Sequence, residues 1–308
     1  MPGQRTERSP AKNGGSNFLL LISVLLFTYS GNYSLSKEQN ALTIEFVTKR
    51  NDDGKKCKRK YRTLREILDS GELKVCIKGP ILSRTLSKNP ADKLCQKTDI
   101  DFAKNMAITM GVSKLTFVVI HDTYNAVVDS IVNGDGDIGI SNLSYTKERS
   151  QKVQFSLPYI DKIFLAFLVD RKLLENPKNV SLLSVLNNAD VTIGATTNTC
   201  YQEMASKLFP AAKLKTEDNW WNDVVQDCVS GNISATIGDE LRIKLLIQKK
   251  PFLLFRFIPI ILKDKPDLIS AVINLENTAL LEWTNTFIRN GCITLSVDDI
   301  LKKDGESI

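Results

Sequence analysis

The chain has 308 residues, 43% of them hydrophobic and 25% charged, a balance that excludes a disordered chain and leaves room for about two domains. Its net charge of +6 is mild and the excess is local, gathered at Lys55, Lys56, Lys58, Arg59, Lys60, Arg62 and Arg65; only one Tyr lies among them, which argues against the aromatic-interleaved basic face of a nucleic-acid protein. The single histidine, His121, excludes metal centres built on histidine clusters and leaves one base for Ser-His or Cys-His catalysis, and six cysteines without a C-x-x-C pair exclude a zinc ribbon.

In chain order, residues 1–17 are polar and carry Arg5, Arg8 and Lys12, and residues 18–29 form an apolar run followed by Ser30 and Gly31. A basic start, a short apolar core and small residues describe a secretory signal peptide over residues 1–31. Twelve helical residues reach about 18 Å, short of a hydrocarbon core of about 30 Å, so export is favoured over a membrane anchor. Residues 32–62 read as a basic amino-terminal extension with a short strand at 44–47. Thr63-Leu64-Arg65-Glu66 has the capping-box form, Leu64, Ile67 and Leu68 share a face, and Gly71 ends that helix. A strand follows at 73–77. Phe102, Ala103, Met106, Ala107 and Met110 keep helical spacing up to Gly111, and 115–120 is a β-branched strand. Helix and strand alternate, which predicts an α/β fold with a largely parallel sheet.

One passage occurs twice. Residues 124–134 (YNAVVDSIVNG) and 221–231 (WNDVVQDCVSG) coincide at five of eleven positions, each starting on an aromatic and ending on Gly. Short strands are expected after each, at 137–140 and 234–237. Two amphipathic helices that happen to look alike are one reading; two α/β lobes of similar plan are the other. Counted from each Gly, Asn142 and Asp239 hold equivalent places at strand ends, where open α/β sheets bind ligands.

Ser141-Asn142-Leu143-Ser144-Tyr145-Thr146-Lys147-Glu148-Arg149, followed by Val153-Gln154-Phe155-Ser156-Leu157-Pro158-Tyr159, resembles the bacterial extracellular solute-binding proteins, family 3, of polar amino-acid transporters. Their pattern is S/T-x-T-x-x-R, a spacer, and F-S-x-P-Y. The opening helix and strand at 63–75, Asp99-Ile100-Asp101-Phe102-Ala103 as a helix start, a Gly-Thr turn at 193–199 and a late helix at 280–291 extend the likeness over nearly the whole mature chain. The resemblance implies a type II periplasmic-binding-protein-like fold, with two α/β lobes joined by crossover strands at 163–169 and 268–273. Lobe 1 would comprise 63–163 and 272–308, and lobe 2 would comprise 168–268.

The resemblance also implies roles. Arg149 would grip an α-carboxylate, which a guanidinium meets with two parallel hydrogen bonds. A cation at a helix start gains nothing from the helix dipole, which sets Arg149 apart from a surface arginine. Ser144, Ser141 and the backbone at Asn142 would add donors, and Thr199 would open a helix whose free amides complete an anion site. Asn198 stands where the family has Gly, a mild departure because Asn tolerates the left-handed conformation. Asp239, in preference to its neighbour Glu240, would take the ammonium. Tyr124 is either a stacking aromatic or a core residue. The family's aromatic wall after the first strand is replaced by residues 78–84 (KGPILSR); Lys78 or Arg84 facing the cleft would favour an acidic or polar ligand side chain over a cationic one.

The function so implied is an extracytoplasmic, monomeric receptor, in the periplasm or on the outer face of the envelope, that delivers an amino acid to an ABC importer. It needs no cofactor, metal or catalytic residue. The transporter's membrane and nucleotide-binding subunits would be separate chains, since no phosphate-binding loop occurs here. Two alternatives share the fold: an exported enzyme of the cyclohexadienyl-dehydratase kind, for which Glu240 or Asp101 would be the acid, and a sensory ligand-binding protein. One disulfide per lobe, Cys76 with Cys95 and Cys200 with Cys228, competes with buried thiols.

Overall fold

The structure is a computed structural model and describes residues 42–48, 61–79, 90–175, 181–290 and 295–305. The signal peptide at 1–31, most of the basic run and Arg84 lie outside the described residues. The elements are β1 (Thr43–Thr48), α1 (Leu64–Ser70), β2 (Glu72–Lys78), α2 (Pro90–Met110), β3 (Lys114–Ile120), α3 (Tyr124–Val132), β4 (Ile138–Gly139), α4 (Lys147–Ser150), β5 (Val153–Asp170), α5 (Leu182–Leu186), β6 (Thr192–Thr196), α6 (Cys200–Leu208), β7 (Lys213–Glu217), α7 (Val225–Ser230), β8 (Ala235–Asp239), α8 (Glu240–Lys249), β9 (Phe257–Asn274), α9 (Thr278–Arg289), β10 (Leu295–Ser296) and α10 (Val297–Gly305).

Local chemistry sets the first boundary. The Thr63 side chain accepts from the Glu66 amide at 3.2 Å, and the Glu66 carboxylate accepts from the Thr63 amide at 2.7 Å. Both orphan donors of the first turn are thereby satisfied. At the other end Gly71 takes φ +65, the left-handed cap that an L side chain resists.

The strands form one sheet in the order β1-β3-β2-β4-β9-β5-β8-β6-β7, with β10 paired to β5. Within it two parallel sets share one plan. β2 lies between β3 and β4, and β6 lies between β7 and β8. The duplicated sequence occupies matching places, α3 before β4 and the turn with α7 before β8. Gly134 and Gly231 both adopt positive φ at the ends of these segments. The reading of two similar α/β lobes therefore has its counterpart in the sheet order. The two differ at the start: Trp220–Val224 forms a π-helical turn before α7. This wider turn brings consecutive side chains closer around the axis, and Trp220 and Trp221 are both buried.

β5 and β9 are 18 residues each and pair antiparallel from Val153–Asn274 to Asp170–Phe257, with register breaks between Phe155 and Leu165. β4 joins β9 at Val272 and Ile273, and β8 joins β5 from Leu165 to Val169. These two strands thus carry the chain between the parallel sets, and the fold is the two-lobed α/β architecture of type II periplasmic binding proteins. β1, from the amino-terminal extension, adds a parallel edge strand beside β3.

Two expectations need correction. Asp99 is not at a helix start: α2 begins at Pro90, and Asp99 lies within it, buried. The disulfide option fails for both pairs, because Cys95, Cys200 and Cys228 are buried free thiols. Burial raises the thiols of Cys200 and Cys228 to about 12, which keeps them protonated. Cys57 and Cys292 lie outside the described residues. Among the described residues no helix is long and apolar enough to cross a membrane, and no group of His, Cys, Asp and Glu could hold a metal ion.

Candidate functional site

The site is built on the carboxyl ends of the parallel strands. Lys78 ends β2, Ser141 and Asn142 follow β4, and Asp239 ends β8. Each parallel set reverses direction of growth at its central strand, which leaves a crevice there.

Ser141 and Asn142 form the turn after β4. The Ser141 hydroxyl accepts from the Lys78 amide at 2.9 Å, which ties the two strand ends together. Asn142 takes φ +47, and its Oδ1 is buried with no hydrogen-bond partner. Its amide donates to the Tyr159 hydroxyl at 3.0 Å, and that hydroxyl donates to Asp99 Oδ1 at 2.6 Å. Tyr159, from the Pro-Tyr element of the motif, thus props the turn from below.

Burial pushes the Asp99 carboxyl up to about 7, against the lowering effect of its hydrogen bonds from Tyr159 and the Asn142 backbone. In the unfolded chain a carboxyl titrates near 3.9. Between those values the folded protein holds a proton that the unfolded chain has released. The contribution of Asp99 to stability is therefore full below about pH 4 and declines as pH rises toward 7. Asp99→Asn keeps the shape and removes the titration. Relative to the wild type it is expected to gain about 2.5 kcal/mol between pH 5 and pH 8. Urea unfolding at the two pH values measures this; an equal difference at both would show that Asp99 titrates like a solvated acid.

Arg149 lies in the four-residue α4, capped by Thr146, whose hydroxyl accepts from the Arg149 amide at 3.2 Å. A helix this short on the surface would leave its side chains in water, yet Arg149 is only 7% exposed. Its Nη1 donates to the Ser144 carbonyl at 2.9 Å and its Nε to Asn125 Oδ1 at 3.0 Å. None of the described residues engages Nη2. The guanidinium is oriented by two partners and keeps one edge for a third.

Ser144 and Asp239 enter one polar network. The Cys200 thiol lies 3.3 Å from Ser144 Oγ, which donates to Asp267 Oδ2 at 3.2 Å. The Tyr201 hydroxyl donates to the same Asp267 oxygen at 2.6 Å and lies 3.2 Å from Asp239 Oδ2. Asp239 caps α8: its Oδ1 accepts from the Arg242 amide at 2.7 Å and its Oδ2 from Arg242 Nε at 3.1 Å. Arg242 Nη2 reaches across to Asp92 of α2 at 3.1 Å. Burial pushes the Asp267 carboxyl up to about 6; Asp239 adds to this, while the Tyr201 and Ser144 hydrogen bonds and Arg149 oppose it.

Tyr124 opens α3 and Lys78 Nζ sits 4.7 Å above its ring. Burial lowers the Lys78 ammonium, Asp92 counters it and Arg242 adds to the lowering. Lys78, Arg242, Asp92 and Tyr124 are thus neighbours on one wall. Thr199 caps α6, its hydroxyl donating to the Thr196 carbonyl at 2.7 Å, and Asn198 before it takes φ +56.

Of the predicted site residues, Arg149 and Ser144 are in direct contact, and Asp239 joins Ser144 through Tyr201 and Asp267. Thr199 immediately precedes Cys200 and Tyr201. Ser141 and Asn142 stand together on the Asp99 side, and Tyr124 pairs with Lys78. Sequence reasoning missed Asp267, Tyr201, Cys200, Asn125, Asp92 and Arg242. Arg242 was legible as the i+3 partner of an acid at a helix start. Asp267, within a Lys-Asp-Lys-Pro-Asp run, reads locally as a solvated loop acid.

Comparison with known proteins agrees with this architecture. Among solved structures, an ancestral cationic amino acid solute binding protein is 24% identical, with a TM-score of 0.53 over 79% of this chain and 95% of that one. The amino acid ABC transporter substrate-binding protein AbpA of Streptococcus pneumoniae, bound to L-arginine, is 22% identical, with a TM-score of 0.55 over 79% and 93%. The arginine-bound form of truncated ArgBP from T. maritima is 21% identical, with a TM-score of 0.54 over 73% and 99%. At these identities the likeness is one of fold. No curated protein matches the chain in sequence. The family described as bacterial extracellular solute-binding proteins, family 3, matches residues 98–303, a span that contains the Ser144–Arg149 turn, both long strands and Asp239. The chain belongs to that family.

Proposed function

We propose that the protein captures an amino acid with an acidic or polar side chain outside the cytoplasm and passes it to an ABC importer. In this reading lobe 1 is 63–163 with 272–308, lobe 2 is 168–268, and β5 and β9 are the hinge. The observation that carries the reading is the buried guanidinium of Arg149, with Nη2 engaged by no described residue, near the carboxylate of Asp267, which Tyr201 links to Asp239. A zwitterion needs this complement, a fixed cation for its carboxylate and a fixed anion for its ammonium.

Arg149 and the free amides past Thr199 would take the carboxylate, while the Asn142 amide, held by Tyr159, and the Ser144 hydroxyl, held by Asp267, would brace the site together with Ser141 rather than donate to the ligand. Asp239 lies on the ammonium side. Net gains of about 1.5–3 kcal/mol per charge-assisted hydrogen bond, over three or four of them, reach the roughly 8 kcal/mol of micromolar binding. Tyr124 would line the side-chain end of the site. Arg242 there is paired with Asp92 and Asp239, but the Lys78 ammonium over the Tyr124 ring makes no ion pair with a described residue, which opposes a further cation and favours an acidic or polar side chain.

Binding rather than turnover is the activity we infer, because the two acids the enzyme alternative would use each sit beside a lysine of their own helix, Glu240 with Lys244 at 2.7 Å and Asp101 with Lys104 at 4.0 Å. A thermal-shift screen of the purified protein against the twenty amino acids tests the proposal. A ligand at a hundredfold excess over Kd stabilises by about 2.7 kcal/mol. The expected result is a raised Tm with acidic or polar amino acids and none with arginine or lysine, and recovery of the ligand unchanged. A shift with arginine alone would overturn the side-chain assignment, and conversion of the ligand would favour the dehydratase-like alternative.

A further inference from the structure

Resting on the amino-acid reading, we propose that Asp267, on the β9 crossover strand, is the direct acceptor for the ligand's ammonium group and that Asp239 acts through it as a positioning residue. Asp239 is 2% exposed and both of its oxygens are occupied. Oδ1 holds the Arg242 amide, and Oδ2 holds Arg242 Nε and faces the Tyr201 hydroxyl. An ammonium at Asp239 would have to share oxygens already held by a helix amide and a buried guanidinium. Asp267 is 5% exposed and differently held. Its Oδ2 receives Ser144 Oγ and the Tyr201 hydroxyl, while Oδ1 is engaged by none of the described residues. Of the two aspartates, only Asp267 therefore keeps an oxygen that no described residue engages. Nη2 of Arg149, engaged by none of the described residues, is nearby; Arg149 is 7% exposed and close enough to act on the Asp267 charge.

Position supports the same assignment. Asp267 pairs with Ile163 between the two long strands. Next to it the Leu268 carbonyl accepts from the Tyr145 amide at 3.0 Å, and Ser144 bridges to Ile269. Its two hydroxyl donors come from opposite sides, Ser144 from the turn after β4 and Tyr201 from α6. A cation at Oδ1 would be sensed by both. Tyr201 has one proton, donated to Asp267 at the shorter distance of 2.6 Å against 3.2 Å to Asp239. That bond fixes which oxygen of Asp267 stays open.

The test uses the purified protein, L-glutamate and L-aspartate as probes, and glutarate and succinate as the same molecules without the ammonium. Affinities come from calorimetry or competition, and circular dichroism verifies the fold. Asp267→Asn, which keeps shape and removes charge, is expected to reduce the preference of the wild type for each amino acid over its des-amino partner by about 30-fold, the equivalent of one charge-assisted hydrogen bond. Asp239→Asn is expected to change that preference less than Asp267→Asn does. Tyr201→Phe, which frees Asp267 Oδ2 but keeps the carboxylate, is expected to weaken the amino acids by about tenfold. An unchanged preference in Asp267→Asn, or a narrowing produced by Asp239→Asn alone, overturns this assignment while the amino-acid reading stands. If the wild type binds another amino acid instead, that ligand and its des-amino analogue replace the pair, and a wild type that binds none of the twenty overturns both.

Discussion

Arg149→Ala is expected to abolish amino-acid binding at any practical concentration while the protein still folds. The loss should reach about 3–5 kcal/mol, two to nearly four orders of magnitude in Kd, because the ligand carboxylate would be buried without its partner. The geometry makes this residue hard to replace. Nε and Nη1 are spent on Asn125 and the Ser144 carbonyl, so a third donor in the same plane remains for the ligand. Lysine offers a point charge on a flexible stem and cannot serve all three directions. Arg149→Lys should therefore recover only a small part of the affinity. The Ser144 carbonyl also loses its donor in the alanine variant, so a fall in stability of about 1 kcal/mol should accompany the binding defect. Calorimetric titration with the best ligand of the amino-acid screen, and urea unfolding of the same samples, separate the two effects. Unchanged affinity would remove the amino-acid reading.

Arg62→Ala carries the largest expected effect on stability, on the order of 3 kcal/mol. Asp137, 4% exposed, receives Arg62 Nε at 2.9 Å, Arg62 Nη2 and the Lys74 amide at 2.7 Å. Arg62 also donates to Ser70 Oγ at 3.0 Å and to the Glu72 carbonyl at 3.1 Å. The residue thus ties the entry to α1, the start of β2 and the turn before β4. Removing it strands a buried carboxylate that burial already disfavours. The side chain of Arg62 is 26% exposed; water can partly replace it, which keeps the effect at the low end of the range for buried pairs. Arg62→Ala with Asp137→Asn should be more stable than Arg62→Ala alone, because the stranded charge is gone. Chemical denaturation of the wild type, the two single variants and the double variant measures the coupling, and additive losses would show that the pair is not linked.

Arg62 also illustrates where sequence reasoning stops. It sits in a run of seven basic residues, and nothing local separates it from Lys60 or Arg65. Arg65 is a solvent-facing partner of Asp69, with side-chain exposures of 85% and 63%, and only the return of the chain at residue 137 makes Arg62 different. The same holds for Asp267. Its value lies in a neighbour 66 residues away, Tyr201, and another 123 residues away, Ser144. No periodicity or spacing can encode such a meeting.

What the sequence by itself determined was local and repetitive. The capping box at Thr63, the glycine stops at Gly71, Gly111, Gly134 and Gly231, the buried β3 and the two matched segments all follow from short-range rules, because helix caps and left-handed turns depend on residues within one turn of each other. The Ser144–Arg149 motif marked the family and the buried arginine because its members are adjacent in the chain. The tertiary structure alone decided which acid stands open and which is occupied, that Arg242 leans toward Asp92, that the cysteines of the two proposed bridges stay apart, and that residues 43–48 complete a sheet edge. Those outcomes depend on burial and on hydrogen bonds between segments far apart in sequence. A carboxylate becomes a ligand site only when the fold removes its water and leaves one oxygen without a partner.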